Sequence, residues 1–196
     1  WNTKGMTIEG QGKTITIGKV ESNVNGNYLF YNAEDLAVND LSIKFQTNGN
    51  GFDMVSGELN NVKLYGGASS NYAVYVCNGG TEETVKIIED FGIAVYSQPG
   101  SEATSNIEVT GSDIKDCGIA ICSYAQSNVF TGNTVTNASE LSFAGGENAV
   151  TTVTGNTFNS AGSYVLRLKV DNGESVGFHY YELRVQAGFD EGYLIL

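Results

Sequence analysis

Residues 110–123 read TGSDIKDCGIAICS, and the opening of that phrase returns as TGNTVTNAS at 131–139 and TGNTFNSAG at 154–162. Each time Thr-Gly is followed by a small polar residue, and a single apolar side chain, Ile114, Val135 or Phe158, comes three positions after the glycine. Working outward, short apolar alternations recur as YLFYN from Tyr28, FDMVS from Phe52, YAVYV from Tyr72, IAVYS from Ile93, IAICS from Ile119, LSFAG from Leu141 and YVLRL from Tyr164. Their starts are 20 to 26 residues apart. Between them lies a second set, NNVKLYGG, ETVKIIED, NIEVTGSDI, SNVFTGNTV and TTVTGNTF, which aligns on Gly66, Glu89, Gly111, Gly132 and Gly155.

Two interleaved strand sets with one period, and a third short strand after the glycine, describe a wound chain whose units cannot bury an apolar face alone. The phrase repeats because stacked turns meet the same corner, where Gly and Asn tolerate a left-handed backbone. The expected fold is all-β: a right-handed single-stranded parallel β-helix of seven or eight coils of roughly 22–23 residues over 1–170. Residues 171–196, apolar and aromatic-rich, are expected to form an irregular last coil and a cap. Ile93, Val95, Ile119, Ile121, Leu141 and Phe143 are expected to face the core with Leu64, Ile87, Val109, Phe130 and Val153. No unit shows a 3.6-residue period, which excludes helical and leucine-rich repeats.

The composition agrees: of 196 residues 25 are glycine, 11 tyrosine and one proline, the mark of short strands and tight turns. A net charge of −12 repels phosphate backbones and anionic lipid, so nucleic acid is not an expected partner. No run approaches 18 apolar residues, so no membrane insertion is expected. Cys77, Cys117 and Cys122 form neither a disulfide scaffold nor, with the one histidine, His179, a zinc signature. The opening WNTKGMTIEG reads as a domain cut from a longer multidomain chain.

The coils NIEVTGSDIKDCGIAICSYAQSNVFTGNTVTNAS, together with MTIEGQGKTITI at 6–17, resemble the parallel β-helix repeats of the pectin lyase-like superfamily over roughly residues 6–170. The resemblance implies the fold and a secreted or cell-surface location. It leaves function open, because lyases, hydrolases, epimerases, tailspikes and adhesins share the architecture. NGNGFD at 48–53 resembles the polygalacturonase Asn-Thr-Asp-Gly-Phe-Asp motif, but the catalytic aspartate of that motif falls on Asn50, which cannot ionise. Its Asp-Asp-Cys motif finds Lys115 in place of the first aspartate, with Asp116 retained.

Two candidate sites follow. Aligning DFGIAV with DCGIAI puts Asp90 and Asp116 on neighbouring coils about 5 Å apart. Close carboxylates either raise one pKa or recruit a cation such as Ca²⁺, making Asp90 and Asp116 candidate catalytic residues and Glu89, Asp90 and Asp116 candidate metal ligands. Asp113 and Glu140 are possible additions to that ligand set. The competing reading has both aspartates capping turns, with Lys115 neutralising one. Lys63 and Lys86 are expected to stack, with Glu108 following on the next coil. The second site is a sheet face whose outward column runs Tyr31, Val55, Tyr75, Tyr96, Cys122, Ala144 and Arg167, otherwise lined by Ala73, Ala94 and Ala120. There Tyr75, Tyr96 and Arg167 are candidate glycan-binding residues, since aromatic faces stack on sugar rings. NAS at 137–139 matches a glycosylation acceptor. The functional expectation is a non-catalytic adhesion or glycan-binding module needing no cofactor. The alternative is a lyase, epimerase or hydrolase acting on acidic polysaccharide.

Overall fold

The computed structural model describes residues 2–20, 27–68, 70–76, 80–97, 106–138, 140–144, 149–159, 162–171, 176–185 and 193–195; the side chains of 80–87 and of every residue past 159 lie outside that description. Every regular element among the described residues is a β-strand. Strands β1 (Thr7–Ile17), β2 (Tyr28–Ala33), β3 (Leu36–Phe45), β4 (Asn50–Met54), β5 (Gly57–Tyr65), β6 (Tyr72–Val76) and β7 (Gly80–Glu89) build the first half. Next come β8 (Ile93–Ser97), β9 (Asn106–Thr110), β10 (Asp113–Lys115), β11 (Ile119–Ser123), β12 (Ser127–Thr131), β13 (Thr134–Thr136), β14 (Glu140–Phe143), β15 (Val150–Thr154) and β16 (Thr157–Phe158). The chain closes with β17 (Gly162–Asp171), β18 (Val176–Val185) and β19 (Tyr193–Ile195).

These strands alternate between two sheets. The first runs β1-β3-β5-β7-β10-β13-β16, with β9, β12 and β15 continuing beside it; the second runs β2-β4-β6-β8-β11-β14-β17-β18-β19. All neighbours are parallel until β17, on which β18 and then β19 pair antiparallel. Parallel pairing between strands about one period apart in sequence makes the molecule a parallel β-solenoid. It winds about five turns, fewer than the seven or eight expected. The last two strands, β18 and β19, add no turn, because they fold back antiparallel on β17.

Stacking produces columns of like side chains. In the second sheet Phe30, Phe52, Val74, Val95, Ile121 and Leu141 lie one on the next, and the Phe30 and Phe52 rings are parallel at 5.0 Å. In the first sheet Ile43, Leu64, Ile88, Ile114, Val135 and Phe158 form one column and Val109, Phe130 and Val153 another. Both sets belong to one continuous core, and removing this apolar area from water holds the coils together.

The third strand expected after each glycine exists as β10, β13 and β16. In earlier coils the two segments merge into the long bent strands β3, β5 and β7. The bends fall on left-handed residues, Asp40 and Asn61 early and Gly111, Gly132 and Gly155 later. At the later corner Ser112, Asn133 and Asn156 stack inward. Asn133 Oδ1 accepts from the Ser112 amide at 2.9 Å and its Nδ2 donates to the Val109 carbonyl at 3.0 Å. Asn156 Oδ1 accepts from the Asn133 amide at 2.9 Å, and Asn156 Nδ2 donates to the Phe130 carbonyl at 2.8 Å. The repeated Thr-Gly-Asn is thus a left-handed turn plus an asparagine that satisfies the backbone groups the turn exposes.

Several registers differ from expectation. The β5–β7 pairing carries two register shifts, so Leu64 stacks on Ile88 rather than Ile87, and Lys63 faces Ile87 rather than Lys86. Glu108 pairs with Glu82 and Val109 with Glu83. Ile93 and Ile119 are only half-buried and share a column with Tyr72, while Ala94 and Ala120 are fully buried.

Candidate functional site

Two neighbouring features carry chemistry. The first is the corner that follows β5, β7, β10 and β13. Its amides continue the ladder: Gly66 N donates to the Glu89 carbonyl, Asp90 N to that of Lys115, and Asp116 N to that of Thr136, at 2.7, 3.2 and 2.9 Å. Asp90, Asp116 and Asn137 adopt left-handed φ of 65°, 52° and 54° there, a conformation these side chains tolerate better than most. At Gly66 a Cβ would lie 2.1 Å from the Asp90 carbonyl oxygen, so the close approach of coils demands glycine. An open groove of about 760 Å³ runs along this corner, lined by Lys44, Gln46, Gly66, Gly67, Asp90 and Asp116 among others.

Glu89, Asp90 and Asp116 each present a carboxylate oxygen within 4.8 Å of the others, so the neighbouring-coil geometry expected for the two aspartates is present. Asp113 and Glu140 are not in that group. The cluster is occupied by its own neighbours. Lys115 Nζ lies 3.4 Å from Asp116 Oδ2 and 3.6 Å from Glu89 Oε1, and Asn137 Nδ2 donates to Asp116 Oδ1 at 2.6 Å. The Asn137 hydrogen bond, aided by Lys115, holds the Asp116 carboxyl below its ordinary value, while Asp116 and Glu89 raise the Lys115 ammonium. A general acid at neutral pH needs the opposite shift, so Asp116 is an ion-pairing carboxylate rather than a proton donor. A calcium ion, which takes 6–8 oxygens at 2.3–2.6 Å, would have to displace that ammonium to use all three carboxylates. Asn137, the acceptor position of the NAS triplet, is exposed; Ser139 lies outside the described residues. The aspartate position of the hydrolase-like motif is a structural asparagine: Asn50 is 8% exposed and its Oδ1 accepts the Asn71 and Tyr72 amides at 3.0 and 2.9 Å.

The second feature is a tyrosine cluster on the outer side of the second sheet. Tyr75 and Tyr96 pair in register with ring centroids 5.2 Å apart. Tyr72 joins them at 5.6 Å from Tyr75 and 5.3 Å from Tyr96, Tyr28 stacks on Tyr72 at 6.5 Å, and Tyr124 meets Tyr96 edge-on at 6.4 Å. Tyr28, Tyr72 and Tyr124 were not singled out in the sequence, because strict alternation puts Tyr72 on the opposite face from Tyr75, whereas in β6 the adjacent Ala73 and Val74 are both buried and leave the two tyrosines on one side. The outward column itself reads Asp53, Tyr75, Tyr96, Cys122, Ser142, Arg167, so Asp53 and Ser142 stand where Val55 and Ala144 were expected. The Arg167 backbone is in that column, and its side chain lies outside the described residues, as do those of Lys86 and His179. Ala73, Ala94 and Ala120 are fully buried, so the rings stand against one another, tilted by 33° to 76° where Tyr72, Tyr75 and Tyr96 meet Tyr28 and each other, instead of lying on an open alanine floor. The exception is the near-parallel Tyr28–Tyr72 pair at 17°. Burial, then the neighbouring Cys122 and tyrosines, pushes the Tyr96 phenol up to about 12, so it remains a hydrogen-bond donor at any physiological pH. Cys117 is buried, its thiol pushed up to about 11 by desolvation, and is no nucleophile; Cys122 is half-buried, and Cys77 lies outside the described residues.

No protein-family model matches the chain, and neither a curated protein nor a solved structure does. The fold and the two features therefore carry the functional argument. No helix among the described residues is long and apolar enough to cross a membrane.

Proposed function

We propose that this chain is a non-catalytic glycan-binding or adhesion module of a secreted or cell-surface protein, with coils that resemble those of the pectin lyase-like superfamily. One observation carries the reading: the tyrosines of four coils converge on one sheet face with centroids 5.2 to 6.5 Å apart. Phenol rings offer apolar surface to sugar C–H groups, and their protonated hydroxyls offer hydrogen bonds. The groove is polar and anionic, and the whole chain carries −12, so the favoured ligand is an uncharged glycan. The reading requires neither a cofactor nor nucleic acid. The second reading, a lyase, epimerase or hydrolase acting on acidic polysaccharide through Asp90 and Asp116, draws on the groove alone and is weakened by the depressed pKa of Asp116.

A glycan array run beside an ultraviolet assay for unsaturated products on pectate and alginate separates the two. Retention of neutral glycans, weakened about tenfold or more by Tyr75→Ala or Tyr96→Ala, is the expected result. Unsaturated product formation that Asp116→Ala abolishes would replace the binding reading with the enzymatic one.

A further inference from the structure

Among the described residues, no strand covers the last rung of the first sheet. Val150 is 63% exposed, and Val153 and Phe158 are only partly buried, although their register partners Phe130 and Val135 are fully buried. Strands β15 and β16 have no partner on their far side among the described residues. The second sheet does not stop there. Beyond β17, which completes the coil of β15 and β16, it adds β18 and β19, two strands standing past the level at which the first sheet ends. The C-terminal end of the solenoid is therefore stepped, with an overhang on one sheet and a notch of matching height on the other.

We propose that a second copy of this chain docks tail to tail in that notch, related by a two-fold axis lying between the sheets along the strand direction. Such an axis exchanges the two sheets. The overhang of one copy then fills the notch of its partner, and β19 of each meets the β15–β16 edge of the other, antiparallel. Both columns of strands end up equally long, which is the self-complementarity a closed two-fold interface requires. The chemistry of the edges agrees. Residues 149–159 and Tyr193–Ile195 carry no charge, whereas β1 at the opposite end displays Glu9 and Lys13. Charged residues, lysine above all, blunt exposed edges against pairing; β1 has them, and the two C-terminal edges lack them. Copies carrying −12 each repel one another, so the contact strengthens with added salt, opposite to an ion-paired interface.

Sedimentation velocity from about 1 to 100 μM, at low and high salt, tests this. The expected result is a monomer–dimer equilibrium that closes at the dimer and tightens with salt. Val150→Lys, at an exposed side chain, weakens the dimer about tenfold or more without moving the melting point of the monomer. Ile15→Lys, on the edge at the other end, leaves the dimer unchanged. A chain that stays monomeric over that range, an open-ended series of species, or a Val150→Lys variant that dimerises like the parent would overturn the proposal.

Discussion

Strand β10 is three residues long and has a left-handed corner on each side, Gly111–Ser112 before it and Asp116 after it. The two corners share coils and differ in what they do with polar atoms. At the first, Ser112 and Asn133 are 1% exposed and every turn is closed by the amide of the coil above. At the second, Asp116 and Asn137 point out, the charges face water, and a groove opens beside them. A polar group turned into a solenoid must be matched by its stacked neighbour, so the inward corner is committed to stability. The outward one is free of that demand and can serve recognition.

That contrast can be broken at its strong end. Asn133→Ala leaves the Ser112 amide and the Val109 carbonyl without partners in the dry core, and a loss of about 3 kcal/mol in denaturant unfolding is expected. The equivalent Asn156→Ala, measured at a concentration that keeps the chain monomeric so that water reaches the freed groups of the terminal rung, costs about 1 kcal/mol. Equal losses at the two positions would show that the terminal rung is covered after all. At the outward corner Asp116→Asn has the smallest effect, and only in one pH range. The folded pKa of Asp116 lies below its ordinary 3.8, so its stabilisation is complete above that value and disappears as pH falls through the folded value. Melting curves of parent and variant should differ slightly at pH 7 and coincide in strong acid; a gap that widens on acidification would mean the carboxyl is instead destabilised by its neighbours. Millimolar Ca²⁺ should leave the melting point unchanged, because Lys115 stands where the ion would bind, and a rise that Asp116→Asn removes would mark a true metal site.

The period of the coil was legible because each turn must pass a corner that only a few residues can take, and those residues stand out in one dimension. The side-by-side placement of Asp90 and Asp116 was legible for the same reason, from Asp-Phe-Gly over Asp-Cys-Gly. The alignment that failed was the one through Gly66 and Glu89. It matched them to Gly111, although they belong to the corner of Asp116; in the stack it is Asn60 that leads through Thr84 toward the Gly111 corner. Both corners use glycine and acidic or amide residues. Two places on the coil with the same backbone demand cannot be told apart by composition.

Local chemistry along the chain determined that this protein winds in parallel coils, where it bends, and which column of apolar side chains fills each sheet, since backbone sterics and a two-residue alternation act over a few residues at a time. Three things arose only on stacking: the gathering of Tyr28, Tyr72 and Tyr124 about the Tyr75–Tyr96 pair, the hydrogen bond of Asn137 to Asp116, and the step between the sheets at the C-terminal end. Each depends on exact register between strands some twenty residues apart, and register shifts such as those between β5 and β7 move a side chain to a different neighbour while leaving the pattern of the strand unchanged.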